Sequence, residues 1–483
     1  MKNIILLITD TFRYDNLRDR AARPVRTPEL DRFMDERATA VERAYMGSFP
    51  TIPNRTDIAR GVLGWPHYPW QPIDLSGPNH IAKLLSAQGY ATQLICDCPH
   101  LFNARFQQGF DAAFQHRGQE GDKPLLHLND PIQTTQPVET TRPTPNFRGH
   151  NLPDTHRWTN RYPRYELEMF PAKTAMTTMR FLEENCEAGP FFLWVDFFDP
   201  HEPWDPPEYL VRRYDPDYDG PAMLHPNYGP SADYSPAQLR NLWAHYAAEA
   251  ELTDRWLGRV LQKIDDLGLW DDSIVLITAD HGTSLGEHQR TGKSNICEHD
   301  ERYWPIYPEI GHVPFLLAGG DVPRGASLDL LVQPTDILPT LAELAGATVA
   351  PEIPFDGRSI APQVLGGQGP GRAYAVSGTH VKPQDGMLRR KAVTPFLVTD
   401  RWGYAPVGAF GQPELYDLAA DPLAARDVAA GHEAVMRELH GLLAAHLAAH
   451  GATDEFCAMW QAGGHALIDD TEFDYGNRWE GAR

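Results

Sequence analysis

The sequence predicts an α/β fold in which a mostly parallel sheet is covered by helices on both faces. Three observations carry that prediction. Short apolar, β-rich runs alternate with segments of helical period. One helical segment is long, capped and runs straight into such a strand. The chain has 483 residues, 42% of them hydrophobic, which suffices for more than one core.

Taken in order, the first run is Ile4 to Ile8. Its apolar stretch is short and ends in an Asp, so it reads as a buried strand rather than a signal peptide. Between about 116 and 165 the chain is polar, rich in Pro, Thr, Asn and Arg and weakly periodic, as expected of a long excursion over the sheet. The next strand is Phe191 to Val195. A helix follows from about Pro236 to Asp266, with Leu252, Trp256, Val260, Leu261 and Ile264 on one stripe and Gly268 placed to stop it. It leads into the strand Ile274 to Thr278, and Pro314 to Leu317 is a further one. Beyond about 350 the Pro and Gly density rises before strands and an amphipathic helix near 433 to 449, with Val435, Leu439, Leu442, Leu443 and Leu447 on one side. The expected division is a catalytic domain over 1–350 and a smaller α+β C-terminal domain over 351–483. That second domain ends in an acidic tail bearing Trp460, Phe473, Tyr475 and Trp479.

Lys and Arg number 43 against 65 Asp and Glu, a formal charge of −22 that argues against nucleic acid or anionic membrane as a general partner. An anionic substrate must therefore meet a locally positive pocket. Five scattered cysteines, an odd number, fit a reducing compartment, and the cytoplasm is expected. The Cys96-Asp97-Cys98 spacing lacks the second pair that a zinc site needs. No run reaches the roughly 18 apolar residues of a membrane span. The oligomeric state is left open, a homo-oligomer included.

A strand that ends in a carboxylate presents it at the carboxyl edge of a parallel sheet, where such folds bind ligands. The first strand ends at Asp10, and the strand before ADHG ends at Asp280-His281. Two hard oxygens and an imidazole converging there suit a divalent metal. The alternative is that each Asp caps the helix after its strand.

Ten segments together resemble the sulfatase family of the alkaline phosphatase superfamily: NIILLITDTFRYD, TPELDRF, TIPNRTDIARG, GYAT, FFDPHEPW, ITADHGTSLGEHQRTGK, HVPFLLAGG, QPTDILPTLAELAG, DGRSIAP and PELYDLAADP. Their order matches the family from residue 3 to about 450. The resemblance implies an alkaline-phosphatase-like fold and an ester hydrolase acting on a small anionic ester. Family members read Cys or Ser, any residue, Pro, any residue, Arg, with the first position oxidised to formylglycine. Here that pattern falls on Thr51-Ile52-Pro53-Asn54-Arg55, while the neighbouring Ser48 lacks the Arg.

Three departures follow. Formylglycine expels sulfate from a geminal diol, a route closed to threonine, so Thr51 can work only as an activated alkoxide and no formylglycine is expected. Threonine nucleophiles in phosphodiesterase and phosphonate-cleaving relatives turn the expectation toward phosphorus. Where sulfatases carry two adjacent Asp, this chain has Asp10-Thr11. The resemblance to phosphonate monoester hydrolases then implies Asp10, Thr51, Asp280 and His281 as ligands of one Mn, Ca, Mg or Zn ion. The Gly-Lys-Trp-His that follows Gly-Tyr-x-Thr in many sulfatases is missing after GYAT, where Asp97 and His100 stand instead, with His100 left as a lining candidate.

The same resemblance gives Arg55 the charge that holds a Thr51 alkoxide, His201 a role on the leaving group, and Lys293 the neutralisation of transferred oxygen. The bland alternatives are a surface ion pair, a buried structural imidazole and a loop lysine. Asp199 is either an orienter of His201 or a turn residue, Asp336 reads as a helix cap, and Glu287 and His288 as loop stabilisers. Arg142, Arg148, Trp158, Arg161 and Arg164 are candidates for holding a second portion of substrate. Three other readings compete: a sulfate-ester hydrolase without formylglycine, an inactive binding protein, and a two-metal phosphatase drawing on Asp196, Asp199, His201 and His312.

Overall fold

The computed structural model describes residues 1–68, 70–77, 79–122, 135–141, 152–161, 165–294, 300, 302–349, 353–369, 371–379, 394–452, 454 and 457. Arg142, Arg148, Arg164 and the four tail aromatics lie outside them. The main sheet has eight strands in the order Ala326–Val332, Thr39–Ala44, Phe315–Ala318, Ser273–Ala279, Asn3–Thr9, Phe191–Phe197, Ala91–Cys96, Ala112–Gln115. All neighbours pair parallel except Phe315–Ala318, which runs antiparallel to both of its partners. The expected α/β fold with a mostly parallel sheet is therefore present.

The three central strands are buried at every residue, which is why Asn3–Thr9, Phe191–Phe197 and Ser273–Ala279 read as continuous apolar runs rather than alternating ones. The edges were harder to see. Ala326–Val332 alternates half-buried and exposed positions along most of its length, and Ala112–Gln115 is short and largely exposed. One-sided cover of this kind leaves a weak sequence signal.

The long helix is Pro236–Asp266. Ser235 and Gln238 close a capping box at its start. At its end Leu269 N–H bonds to the Ile264 carbonyl at 3.0 Å around Gly268 at φ +64°, the left-handed exit that glycine adopts without a steric penalty. Leu252, Trp256, Val260, Leu261 and Ile264 are all buried, and the helix packs against Pro28–Glu36, Phe170–Asn185 and Glu208–Tyr214. Within the 116–165 excursion the helix Leu152–Thr159 buries Trp158, so that aromatic packs rather than facing solvent.

A second sheet of five strands runs Glu414–Asp417, Trp402–Ala405, Pro395–Val398, Ala375–Thr379, Ser48–Phe49, with the helix Glu433–Ala449 burying Leu439, Leu443 and Leu447 against it. Its last strand comes from the N-terminal part of the chain. Ser48–Phe49 pairs parallel with Ala375–Thr379, so the smaller sheet anchors the segment that enters the Thr51 helix.

Candidate active site

Four adjacent parallel strands deliver an aspartate to the same edge of the main sheet: Asp280, Asp10, Asp196 and Asp97. All four are fully buried, a concentration of negative charge that needs compensation. Arg55 supplies it. Its guanidinium grips Asp196 with two parallel bonds of 2.8 Å, donates to Asp280 Oδ2, and lies 3.2 Å from Asp10 Oδ2. Burial works against its charge, but Asp196, Asp280 and Asp10 outweigh that and raise its pKa well above the ordinary arginine value. Arg55 is thus no surface ion pair. It reaches Thr51 through the Thr51 carbonyl oxygen at 3.3 Å.

Asp10, Asp280 and His281 bring one ligand atom each to within 4.8 Å of one another. His281 Nδ1 lies 3.0 Å from the Gly282 carbonyl, which can only accept, so Nδ1 carries the proton and Nε2 the lone pair. Burial above all pushes its pKa down to about 3, leaving the imidazole neutral. Nε2 has no hydrogen-bond partner and sits 3.8 Å from Asp10 and 3.5 Å from Asp280, while Asp10 Oδ2 likewise accepts no hydrogen bond. An unpaired buried imidazole nitrogen within 3.8 Å of two carboxylates fits a cation held among the three side chains. Gly282 allows the backbone to close here, since a Cβ would fall 2.2 Å from the Glu309 carbonyl oxygen.

Thr51 is the first residue of the helix Thr51–Arg60 and is buried. No side chain caps that helix, so its positive end is left for an anion. Ser48, the rival hydroxyl, is fully committed: it donates to Asp57 Oδ1 at 3.0 Å and accepts from Trp65 N at 2.7 Å. Burial pushes the Asp57 carboxyl up to about 7 despite those bonds. Ser48→Ala should therefore keep turnover per folded molecule while costing about 1–3 kcal/mol, because Asp57 and the Trp65 amide lose a partner. Denaturant unfolding alongside specific activity checks this.

Lys293 and His201 meet at Glu202. Lys293 Nζ lies 3.3 Å from Glu202 and 3.1 Å from the Thr11 hydroxyl, which in turn donates to Asp10 at 2.7 Å. His201 stacks on Phe198 at 4.0 Å, and its Nδ1 is 2.6 Å from the Glu202 carbonyl and 3.7 Å from its carboxylate. Burial would raise the Glu202 pKa, but His201, Lys293, His225 and the Tyr228 hydroxyl together hold it well below the usual carboxylate range. His100 stands farther out, half-buried between Trp70 and Phe198, with Nε2 3.7 Å from Glu120.

The remaining candidates fall away from the centre. Asp199 accepts from Gln119 at 2.9 Å, and His201 is oriented instead by its neighbour Glu202. His312 is stacked between Tyr14 and Tyr45, with Nε2 toward the Glu42 carbonyl. Asp336 caps the turn at Gln333 and receives Arg372. Glu287 binds Arg13, and His288 bonds Glu309 and the Ala424 carbonyl, so both tie down their loop. With Asp196 held by Arg55, the donors of a second metal site are dispersed, and among the described residues only Asp10, Asp280 and His281 cluster as ligands. Sequence reasoning missed Asp196 as the partner of Arg55 and Glu202 as the junction of the two cations.

The sulfatase family model matches residues 2–347. An arylsulfatase of Clostridium perfringens is 25% identical over 451 residues, covering 87% of this chain and 88% of its own. A multifunctional alkaline phosphatase superfamily protein of Trinickia caryophylli is 24% identical over 430 residues, 76% of this chain and 78% of its own. The fold is shared with the phosphonate monoester hydrolase of Agrobacterium radiobacter at a TM-score of 0.69 and 22% identity, over 93% of this chain and 96% of that one.

Proposed function

The chain belongs to the sulfatase family of ester hydrolases, and from that premise we propose that it cleaves a small phosphate or phosphonate ester through a covalent intermediate on Thr51. The observation that carries this reading is the residue at the nucleophile position: a buried threonine, which has no route to formylglycine, at the open N-terminus of a helix whose Arg55 engages the metal-type carboxylates. In the first step the Thr51 hydroxyl gives up its proton to solvent, the Thr51 Oγ–P bond forms as the bond from phosphorus to the leaving oxygen breaks, and that oxygen takes its proton from His201. In the second, water attacks phosphorus and gives a proton to His201, the Thr51 Oγ–P bond breaks and Oγ regains its proton from solvent, and the free acid leaves.

Asp10, Asp280 and His281, with the Thr51 hydroxyl, would hold one divalent ion. Such an ion lowers the pKa of a hydroxyl it touches and neutralises oxygen charge. Charge supports it: three aspartates against one guanidinium leave the Asp10–Asp196–Asp280–Arg55 group at −2, which a divalent cation cancels. Hard oxygens with one imidazole suit Mn, Ca, Mg or Zn. His201 Nδ1 is fixed as a donor by the Glu202 carbonyl, so Nε2 is the atom that exchanges a proton. Lys293, within reach of Thr11 and Glu202, brings positive charge to the transferred oxygens.

The reading is tested with a panel of aryl phosphodiesters, phosphonate monoesters and sulfate esters of graded leaving-group acidity. Phosphorus esters should turn over faster; a sulfate ester preferred throughout would instead favour sulfuric ester hydrolysis without formylglycine. On the same panel His201→Ala and Lys293→Ala should lower kcat by roughly 10²–10⁴ with modest change in KM. The His201→Ala loss should shrink as the leaving group becomes more acidic. A uniform loss across the panel would contradict His201 as the acid. Free thiols at Cys96, Cys98, Cys186 and Cys457 support a reducing compartment, and our reading is the cytoplasm. No helix among the described residues is long and apolar enough to cross a membrane.

A further inference from the structure

Asn54 is fully buried, and neither its Oδ1 nor its Nδ2 has a hydrogen-bond partner. Its neighbours on the same helix are engaged: Arg55 with three carboxylates, Thr56 with the Ile52 carbonyl at 2.8 Å, Asp57 with Ser48 and Gly64. A buried amide without partners destabilises a fold, and an asparagine inside a helix is a weaker choice than alanine. Local packing therefore gives no reason for it.

Its position does. Asn54 follows Thr51 by three residues, so the two share a helix face, and helical side chains lean toward the N-terminus. The carboxamide is thus placed over the turn that carries the Thr51 hydroxyl and the uncapped helix end. An amide offers two N–H donors, and the non-bridging oxygens of a tetrahedral phosphoryl group only accept. We propose that Asn54 is a substrate-contacting residue whose Nδ2 donates to a non-bridging oxygen of the group transferred to Thr51. This rests on Thr51 as the acceptor of that group. The unpaired amide of the free protein is then a ligand-binding group whose cost to stability is offset only when the oxyanion arrives.

The test uses the metal-loaded full chain and orthovanadate as the oxyanion probe. Asn54→Leu keeps the approximate shape and removes the hydrogen bonds. Vanadate inhibition should weaken roughly 10- to 100-fold, the worth of one hydrogen bond to a charged group, with kcat/KM falling alongside. Metal content should be unchanged, and the Tm without vanadate should hold or rise because a buried unsatisfied amide has gone. Asn54→Ser, a smaller change, should move vanadate inhibition the same way if the leucine variant does not fold. Unchanged vanadate inhibition, a Tm lowered in both variants or a loss of metal would each overturn the assignment, the last two by giving Asn54 a structural or metal-ligating role. Quenching the wild-type enzyme during turnover separates the two claims. Absence of an adduct on Thr51 would remove the nucleophile reading, whereas an adduct on Thr51 with vanadate inhibition unaffected in both Asn54 variants would remove this one alone.

Discussion

Thr51→Ala should reduce turnover to background, a loss on the order of 10⁴–10⁶-fold, because the residue that forms the bond to phosphorus has gone. Thr51→Ser should stay within about tenfold, some 1.4 kcal/mol of barrier, since the same oxygen remains at the helix N-terminus. Ser48 cannot substitute, as its hydroxyl is held between Asp57 and the Trp65 amide. Thr51→Cys is the informative third variant. It restores a Cys-Ile-Pro-Asn-Arg pattern, and co-expression with a maturation enzyme that accepts it should raise sulfate-ester cleavage relative to phosphodiester cleavage. Mass spectrometry of the quenched wild-type enzyme should find an added phosphoryl mass on the Thr51 peptide. An adduct on Ser48, or full activity in Thr51→Ala, would end the nucleophile assignment.

What the chain disclosed in advance depended on where each residue sits. Asp10 and Asp280 were legible because each terminates an apolar run buried on both faces, which places a carboxylate at the sheet edge by construction. Asp196 was legible only as a donor for a second metal; its tie to Arg55 was not, because only the register of Phe191–Phe197 beside Asn3–Thr9 brings it there. Glu202 was hidden for a similar reason. It acts across the fold, on a lysine that lies 91 positions away in the chain. Asn54 sits at a position that the motif leaves open to any residue, so only its burial without a partner singles it out. Arg55 was identified but its geometry was not: a cation placed to support a hydroxyl proves to be gripped by three carboxylates, a fact of tertiary packing that spacing along one helix cannot express.

That grip decides how the metal site should be dissected. Asp280→Ala removes a proposed ligand and also a carboxylate that neutralises Arg55 in a fully buried setting. Breaking a buried pair costs about 3–5 kcal/mol, so lost activity in that variant would mix lost metal with lost fold. Asp10→Ala is milder, because Arg55 keeps the bidentate Asp196 and Asp280. His281→Ala is cleanest, since the guanidinium keeps all three aspartates and the fold loses only the Nδ1 bond to the Gly282 carbonyl and the packing of one buried ring. His281→Ala should therefore lose most of its bound divalent ion and most of its activity with only a modest drop in the Tm of the metal-free protein. Asp10→Ala should lose both metal and activity with a small drop in Tm, and Asp280→Ala should show all three losses, the Tm falling furthest. In the wild type, adding back the ion should raise the Tm with the logarithm of its free concentration, as binding to the folded state alone requires. Elemental analysis and thermal unfolding of the three variants read these quantities separately. Full metal occupancy and full turnover in His281→Ala and Asp10→Ala together would remove the ion from this cluster and leave Arg55 as the sole reason for its buried carboxylates.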